Sequence, residues 1–235
     1  MRRVVGILVF MLLASYFMLP ARAATVFSDD FNRSDEPLNA NPNWEIVRGT
    51  WAVESGECSQ SDSSLIRAHS VAGDSSWINS AIKVKAKIVD GLGVIVLFRY
   101  VDAKNWYEAF IRQDVDLAVI SRYEEGKINW IARVPFACEP GVWYELRVEV
   151  FGSLIRFYVN NVLVSEATDS TFASGRIGIG ALDAHVHFDD LEVANPSFNV
   201  VPEPAPFVIS LMLIAGLARY GIIRRRSING KISTS

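Results

Sequence analysis

Positive charge is scarce over most of this chain, and cysteine and histidine are scarce throughout. Two cysteines, Cys58 and Cys138, allow one bridge at most, which excludes a disulfide-stapled scaffold. Three histidines, His69, His185 and His187, leave little for a zinc centre, which needs three or four ligands, so His185 and His187 in "HVHF" read as two surface histidines on one strand face. From Ala24 to Val201 there are 25 acidic against 15 basic side chains, a net charge of −10. A body so acidic lacks the basic footprint that nucleic acid or an anionic membrane surface requires. The same region shows no sustained helical period, which excludes helical bundles and α/β folds. It contains no Gly-x-Ser-x-Gly elbow, no His-Glu-x-x-His helix and no Glu-x-Asp-x-x-Glu strand, so no hydrolase of those types is indicated.

What is present is a hydrophobic run at each end and a β-rich body between. Residues 1–23, "MRRVVGILVFMLLASYFMLPARA", have two arginines, an apolar run and Ala-Arg-Ala, the pattern of a secretory signal peptide cut after Ala23; an uncleaved anchor is the alternative. Export places Cys58 and Cys138 where they can pair, or each can be a small buried strand residue.

Residues 24–196 read as one all-β domain, an antiparallel β-sandwich or jelly roll. "AIKVKAKIV" alternates strictly, with Lys83, Lys85 and Lys87 on a wet face. Asn160-Asn161, Glu125-Gly126 and Asp90-Gly91 mark turns. If "GVIVLFRYV" and "NWYEAFIRQ" form a hairpin through Asp102, Ala103 and Lys104, then Tyr100, Trp106, Glu108 and Arg112 share a face with Phe98. That face suits a sugar, whose ring stacks and whose hydroxyls need partners, and Ile95, Leu97, Ala109 and Ile111 then face the core. Alternatively all these aromatics pack the sandwich. Asp114 and Asp116 share a face without an aromatic setting to raise a pKa and read as hairpin acids.

The segments "FSDDFNRSD", "NWEIVRGTWAVESGECSQ", "FRYVDAKNWYEAFI", "GVWYELRVEVFGSLIRFYVNNVLV" and "GRIGIGALDAHVHFDDLEV" together resemble the concanavalin A-like lectin/glucanase superfamily in its laminin G-like, non-enzymatic form, over about residues 26–194. The resemblance implies two curved sheets, adjacent chain ends, and calcium or carbohydrate on the concave face or rim. Asp29-Asp30 and Asp189-Asp190 could then approach one another, with Asp30 and Asp189 facing a structural calcium ion; solvated edge charges are the other reading.

Residues 197–206 are a Pro-rich linker, residues 207–223 an apolar run at the lower limit of a membrane-spanning helix, and residues 224–235 a basic cytoplasmic tail. "VPEP" with Pro202, Glu203 and Pro204, the apolar run, then Arg224, Arg225 and Arg226 resemble the PEP-CTERM sorting signal of Gram-negative bacteria, although the nine residues after the arginines are more than usual. The resemblance implies exosortase as partner, membrane anchorage before processing, and release to the cell surface or an exopolysaccharide matrix. A plain anchor is the simpler alternative. The sequence reading is therefore an exported, non-catalytic glycan-binding protein of the biofilm matrix; a secreted glycan-active hydrolase and a permanently anchored extracytoplasmic binding domain are the competing readings.

Overall fold

The lysine-faced strand is the first half of something longer. In the computed structural model, which describes residues 24–195, Ser80–Asp102 is one continuous strand, β7. The signal peptide at 1–23, the linker with Pro202, Glu203 and Pro204, the apolar run at 207–223, and Arg224, Arg225 and Arg226 lie outside the described residues. Before β7 come β1 (Ala24–Asp29), β2 (Glu36–Pro37), β3 (Trp44–Arg48), β4 (Trp51–Glu54), β5 (Glu57–Gln60) and β6 (Ala68–Ala72). After it come β8 (Asn105–Arg112), β9 (Leu117–Glu124), β10 (Lys127–Pro135), β11 (Trp143–Phe151), β12 (Leu154–Val159), β13 (Val162–Thr168) and β14 (Arg176–Asn195). One 3-10 turn, Leu38–Ala40, is the only helical element among the described residues.

Every pairing is antiparallel, and β7 and β14 run side by side through two layers. Their first and second halves respectively belong to a layer completed by β11, β12 and β13 on one side and by β5, β4, β2 and β1 on the other. The opposite halves carry β8, β9 and β10 on one side and β6 and β3 on the other. This is the all-β sandwich of jelly-roll type that the sequence implied, and β1 lies against the end of β14 as the adjacent-termini expectation required.

Asp90-Gly91 is not a hairpin turn, as the sequence suggested, but the corner where β7 leaves one layer for the other. Gly91 has φ +99°, and a Cβ there would lie 2.0 Å from the carbonyl oxygen of Asp183 on β14, so only glycine lets the strands pass so closely. Asn160-Asn161 and Glu125-Gly126 do form the two-residue turns expected, all four residues with positive φ.

Between the layers lies the main core. Ile82, Val84, Ala86 and Ile88 point into it from the first half of β7, while Lys83 and Lys85 have side chains 42% and 49% exposed on the other face. The second layer supplies Val94, Val96, Phe98, Tyr107, Ala109 and Ile111, with Phe98 stacked on Tyr107 at 5.4 Å. The outer face of that layer is buried as well, in a separate cluster of Val71, Ile95, Leu97, Tyr100, Trp106, Phe110, Val119 and Leu182. Double burial explains why β8, apart from Glu108, shows no alternation of apolar and polar residues between Trp106 and Ile111.

Two expectations about this region are corrected. Phe98 does not share a face with Tyr100, and Ile95 and Leu97 do: a bulge at Arg99, φ 45°, shifts the register between Phe98 and Asp102 and inverts the parity beyond it. The buried Arg99 guanidinium donates to the carbonyls of Ile78, Gly152 and Phe172, which fastens three loops to the bulge. Cys58 and Cys138 form no bridge. Cys58, on β5, lies near Asp29 and Arg33, whereas Cys138, past β10, lies near Asp114 and Asp116, so separate regions of the sandwich bury them. Burial pushes both thiols up, Cys138 to about 11, which keeps them protonated and unreactive.

Candidate functional site

Strand parity puts Trp106 and Glu108 of β8 on the outer face of the second layer, and the hairpin register sets Tyr123 of β9 directly opposite Trp106. The Trp106 and Tyr123 rings stack at 4.1 Å, with Tyr100 at 6.0 Å and His69 of β6 at 5.2 Å from the indole. Trp106 is therefore the floor of the site: it is only 3% exposed, and the half-buried Tyr123 presents its ring instead.

Glu108, 1% exposed, carries a charge that needs compensation. It accepts from Arg67 Nε and Nη2 at 3.1 to 3.3 Å, from Ser121 Oγ at 2.8 Å and from Trp106 Nε1 at 3.2 Å. Arg67, in the left-handed region at φ 55° just before β6, also lies 5.6 Å over the Tyr123 ring. The carboxylate thus holds Arg67 in place, and Arg67 braces Tyr123.

His69 donates from Nδ1 to the carbonyl of Arg67 at 2.9 Å, which leaves Nε2 as an acceptor. That nitrogen is buried and has no partner. Burial lowers the His69 pKa, so the imidazole is neutral near pH 7. The space beside it is a cleft of about 410 Å³ lined by Val47, Arg48, Ile66, Arg67, His69, Ala103, Trp106 and Tyr123. It offers guanidinium donors, one unsatisfied acceptor and an aromatic ring, and no carboxylate lines it.

Of the residues picked from the sequence, Tyr100, Trp106 and Glu108 come together here. Arg112 does not: it sits at the other end of β8, about 20 Å along the strand at ~3.4 Å per residue, and its guanidinium is spent on Asp114. Arg67, His69, Tyr123, Ser121 and Arg48 were missed.

The two acidic pairs approach one another, as the resemblance implied, but not through Asp30 and Asp189 together. Asp29, not Asp30, is the buried member, and it accepts from the Phe31 amide, the Arg33 guanidinium, Asn41 and the Trp44 indole. Asp30 caps the Asn32 amide and lines an open polar depression of about 590 Å³ with Asp190 and Glu192. Asp189 does not line it; its carboxylate accepts from the Asp190 amide, while Asp190 pairs with Lys85 at 2.6 Å. Among the described residues no group of three or more His, Cys, Asp or Glu side chains is placed to hold a metal ion.

The 3-keto-alpha-glucoside-1,2-lyase-like domain model matches residues 32–194. The chain belongs to that family. A levanase of Bacillus subtilis (strain 168) is 30% identical over 149 residues, and an extracellular exo-alpha-L-arabinofuranosidase of Streptomyces chartreusis is 28% identical over 143. These stretches are 63% and 60% of this chain but only 22% and 17% of those enzymes, so the chain spans about a fifth of their length. Among solved structures, the carbohydrate binding module CBM66 from Bacillus subtilis superposes with a TM-score of 0.60 at 27% identity, over 65% of this chain and 95% of the module. A laminarinase from Rhodothermus marinus, 11% identical with a TM-score of 0.55 over 74% of this chain and 98% of its own, shares the fold. The chain is thus similar to a carbohydrate-binding module and to one part of two glycoside hydrolases.

Proposed function

We propose that the sandwich binds a glycan in the Arg48–Arg67–His69–Tyr123 cleft and does not cleave it. The observation that carries this reading is the buried His69 Nε2, an acceptor without a partner beside two guanidinium groups and an aromatic ring. A sugar supplies what is missing: a hydroxyl donates to Nε2, neighbouring hydroxyl oxygens accept from Arg48 and Arg67, and the apolar ring face packs on Tyr123. The buried carboxylate beneath this cleft, Glu108, is committed to Arg67, Ser121 and Trp106, which argues against its acting as a free acid or base.

The names levanase and arabinofuranosidase both designate enzymes of five-membered sugar rings, which makes a furanoside the ligand to try first. Affinity electrophoresis in gels containing levan or arabinan tests this. Retardation of the protein and its loss in Tyr123→Ala and Arg48→Ala, both with unchanged circular dichroism, is the expected result. Retardation that survives both changes overturns the cleft. Accumulation of cleavage products favours the lyase reading suggested by the family's name, with the neutral His69 as the base.

The protein reaches its ligand outside the cell in this proposal. The signal-peptide pattern supports export, and the Pro202-Glu203-Pro204 segment, apolar run and arginines support exosortase-dependent sorting into an exopolysaccharide matrix.

A further inference from the structure

On the outer face of the first layer, far along β14 from its pairing with β6, two imidazoles meet. Val186 and Phe188 point into the core, so His185 and His187 point outward, and β5 and β7 place Ser59 and Lys87 on either side of His187. The Nε2 atoms of the two histidines are 3.2 Å apart. His187 Nδ1 lies 2.5 Å from the Glu57 carboxylate, and Ser59 Oγ is 3.5 Å from His185 Nε2. Lys87 is paired with the same Glu57 oxygen at 3.3 Å, and the charges of Glu54 and Asp90 also act on His185. Three carboxylates against one ammonium give this patch negative potential.

We infer that His185 and His187 chelate a divalent transition-metal cation of the zinc, nickel and copper group through their Nε2 atoms, with Glu57 orienting His187. Imidazole suits these metals, whereas calcium and magnesium prefer oxygen. Two nitrogens bound at about 2.0 to 2.1 Å to a tetrahedral ion lie about 3.3 Å apart, close to the separation found. Glu57 accepts the Nδ1 proton, which fixes the tautomer with Nε2 free for a metal, the arrangement of a carboxylate–histidine–metal triad. Without metal, His185 donates from Nε2 to His187 Nε2; when the ion binds, His185 carries its one proton on Nδ1 instead, so no net proton is released. Among the described residues no third side-chain ligand joins them, which leaves the remaining positions to water or to a ligand oxygen. The side chains of His187 and Glu57 are 19% and 32% exposed, so an ion can enter from solvent.

Zinc chloride titrated into the full-length protein, followed by calorimetry and by the histidine ring ¹⁵N resonances, tests the site. One equivalent should bind saturably, and the Nε2 signals of two of the three histidines should move while His69 stays in place. Binding should vanish in the double variant His185→Ala, His187→Ala, and Glu57→Gln should weaken it about 10- to 100-fold. Absence of saturable binding, Nε2 signals that do not move, or undiminished binding in the double variant would each overturn the inference. If the double variant does not fold, the ring resonances of the unaltered protein decide alone.

Discussion

Glu108 and Arg67 are the residues on which the cleft depends. Their side chains are 1% and 15% exposed, so the pair is removed from water and each charge relies on the other. Arg67→Ala leaves the carboxylate with only Ser121 and the Trp106 indole, and a buried charge stripped of its partner costs about 3 to 5 kcal/mol. Urea denaturation should show a loss of that order, with an unchanged slope. His69 adds a pH dependence. Burial depresses its pKa in the folded state, so as pH falls the unfolded chain takes up the proton first. The stability that neutral His69 confers is complete above the ordinary histidine value of about 6.5 and is lost as pH drops below it. A melting-temperature profile from about pH 7 to 5 should therefore fall more steeply than that of His69→Gln. Glycan retention should weaken over the same interval, because a protonated Nε2 donates where the ligand needs an acceptor. Half of this constellation was legible from the chain. Tyr100, Trp106 and Glu108 were read from strand parity across one hairpin, whereas Tyr123 needed the register of the next one, β8 with β9. Arg67 and His69 arrive from β6, reached through β14, a pairing more than a hundred residues distant that no local pattern encodes.

At the level of elements, the sandwich rests on two irregular positions in one strand. Gly91 turns β7 from one layer into the other, and the Arg99 bulge then decides which side chains face the cleft. Period-two alternation exposed the lysine face because β7 there has one wet side. It failed beyond Leu92 because both faces are buried and parity gives no contrast, and a bulge has no period at all. The Asp-Gly pair looked like a hairpin turn for a physical reason: both need positive φ at glycine, and only tertiary pairing distinguishes a turn from a corner. Gly91→Ala should be strongly destabilising, because it combines a strained φ with a Cβ 2.0 Å from the Asp183 oxygen. A loss of more than about 1 kcal/mol is expected. Gly126→Ala is the control: its φ of +77° is also strained, but a Cβ there meets nothing within 4 Å. A melting temperature for Gly91→Ala equal to that of Gly126→Ala would remove the close approach as the cause.

For the whole molecule, the acidic body and the basic, apolar ends divide the chain into parts with different physical roles. The body carries −10 while seven of the eight remaining basic residues flank or interrupt the two hydrophobic segments, a distribution that fits the proposed export of the body. If the cleft binds a glycan as proposed, many copies in a matrix would compensate for weak single-site binding by multivalency, which requires release from any membrane anchor. In the proposed function that step falls at the Pro202-Glu203-Pro204 segment. Mass spectrometry of the extracellular fraction should then find a mature C-terminus near Pro204, without the apolar run of residues 207–223. Glu203→Ala should leave the protein in the membrane fraction at its longer mass. Exported material that still contains Arg226 would show instead that the arginines and the apolar run serve as a permanent anchor, and that the cleft acts at the membrane surface rather than in a matrix.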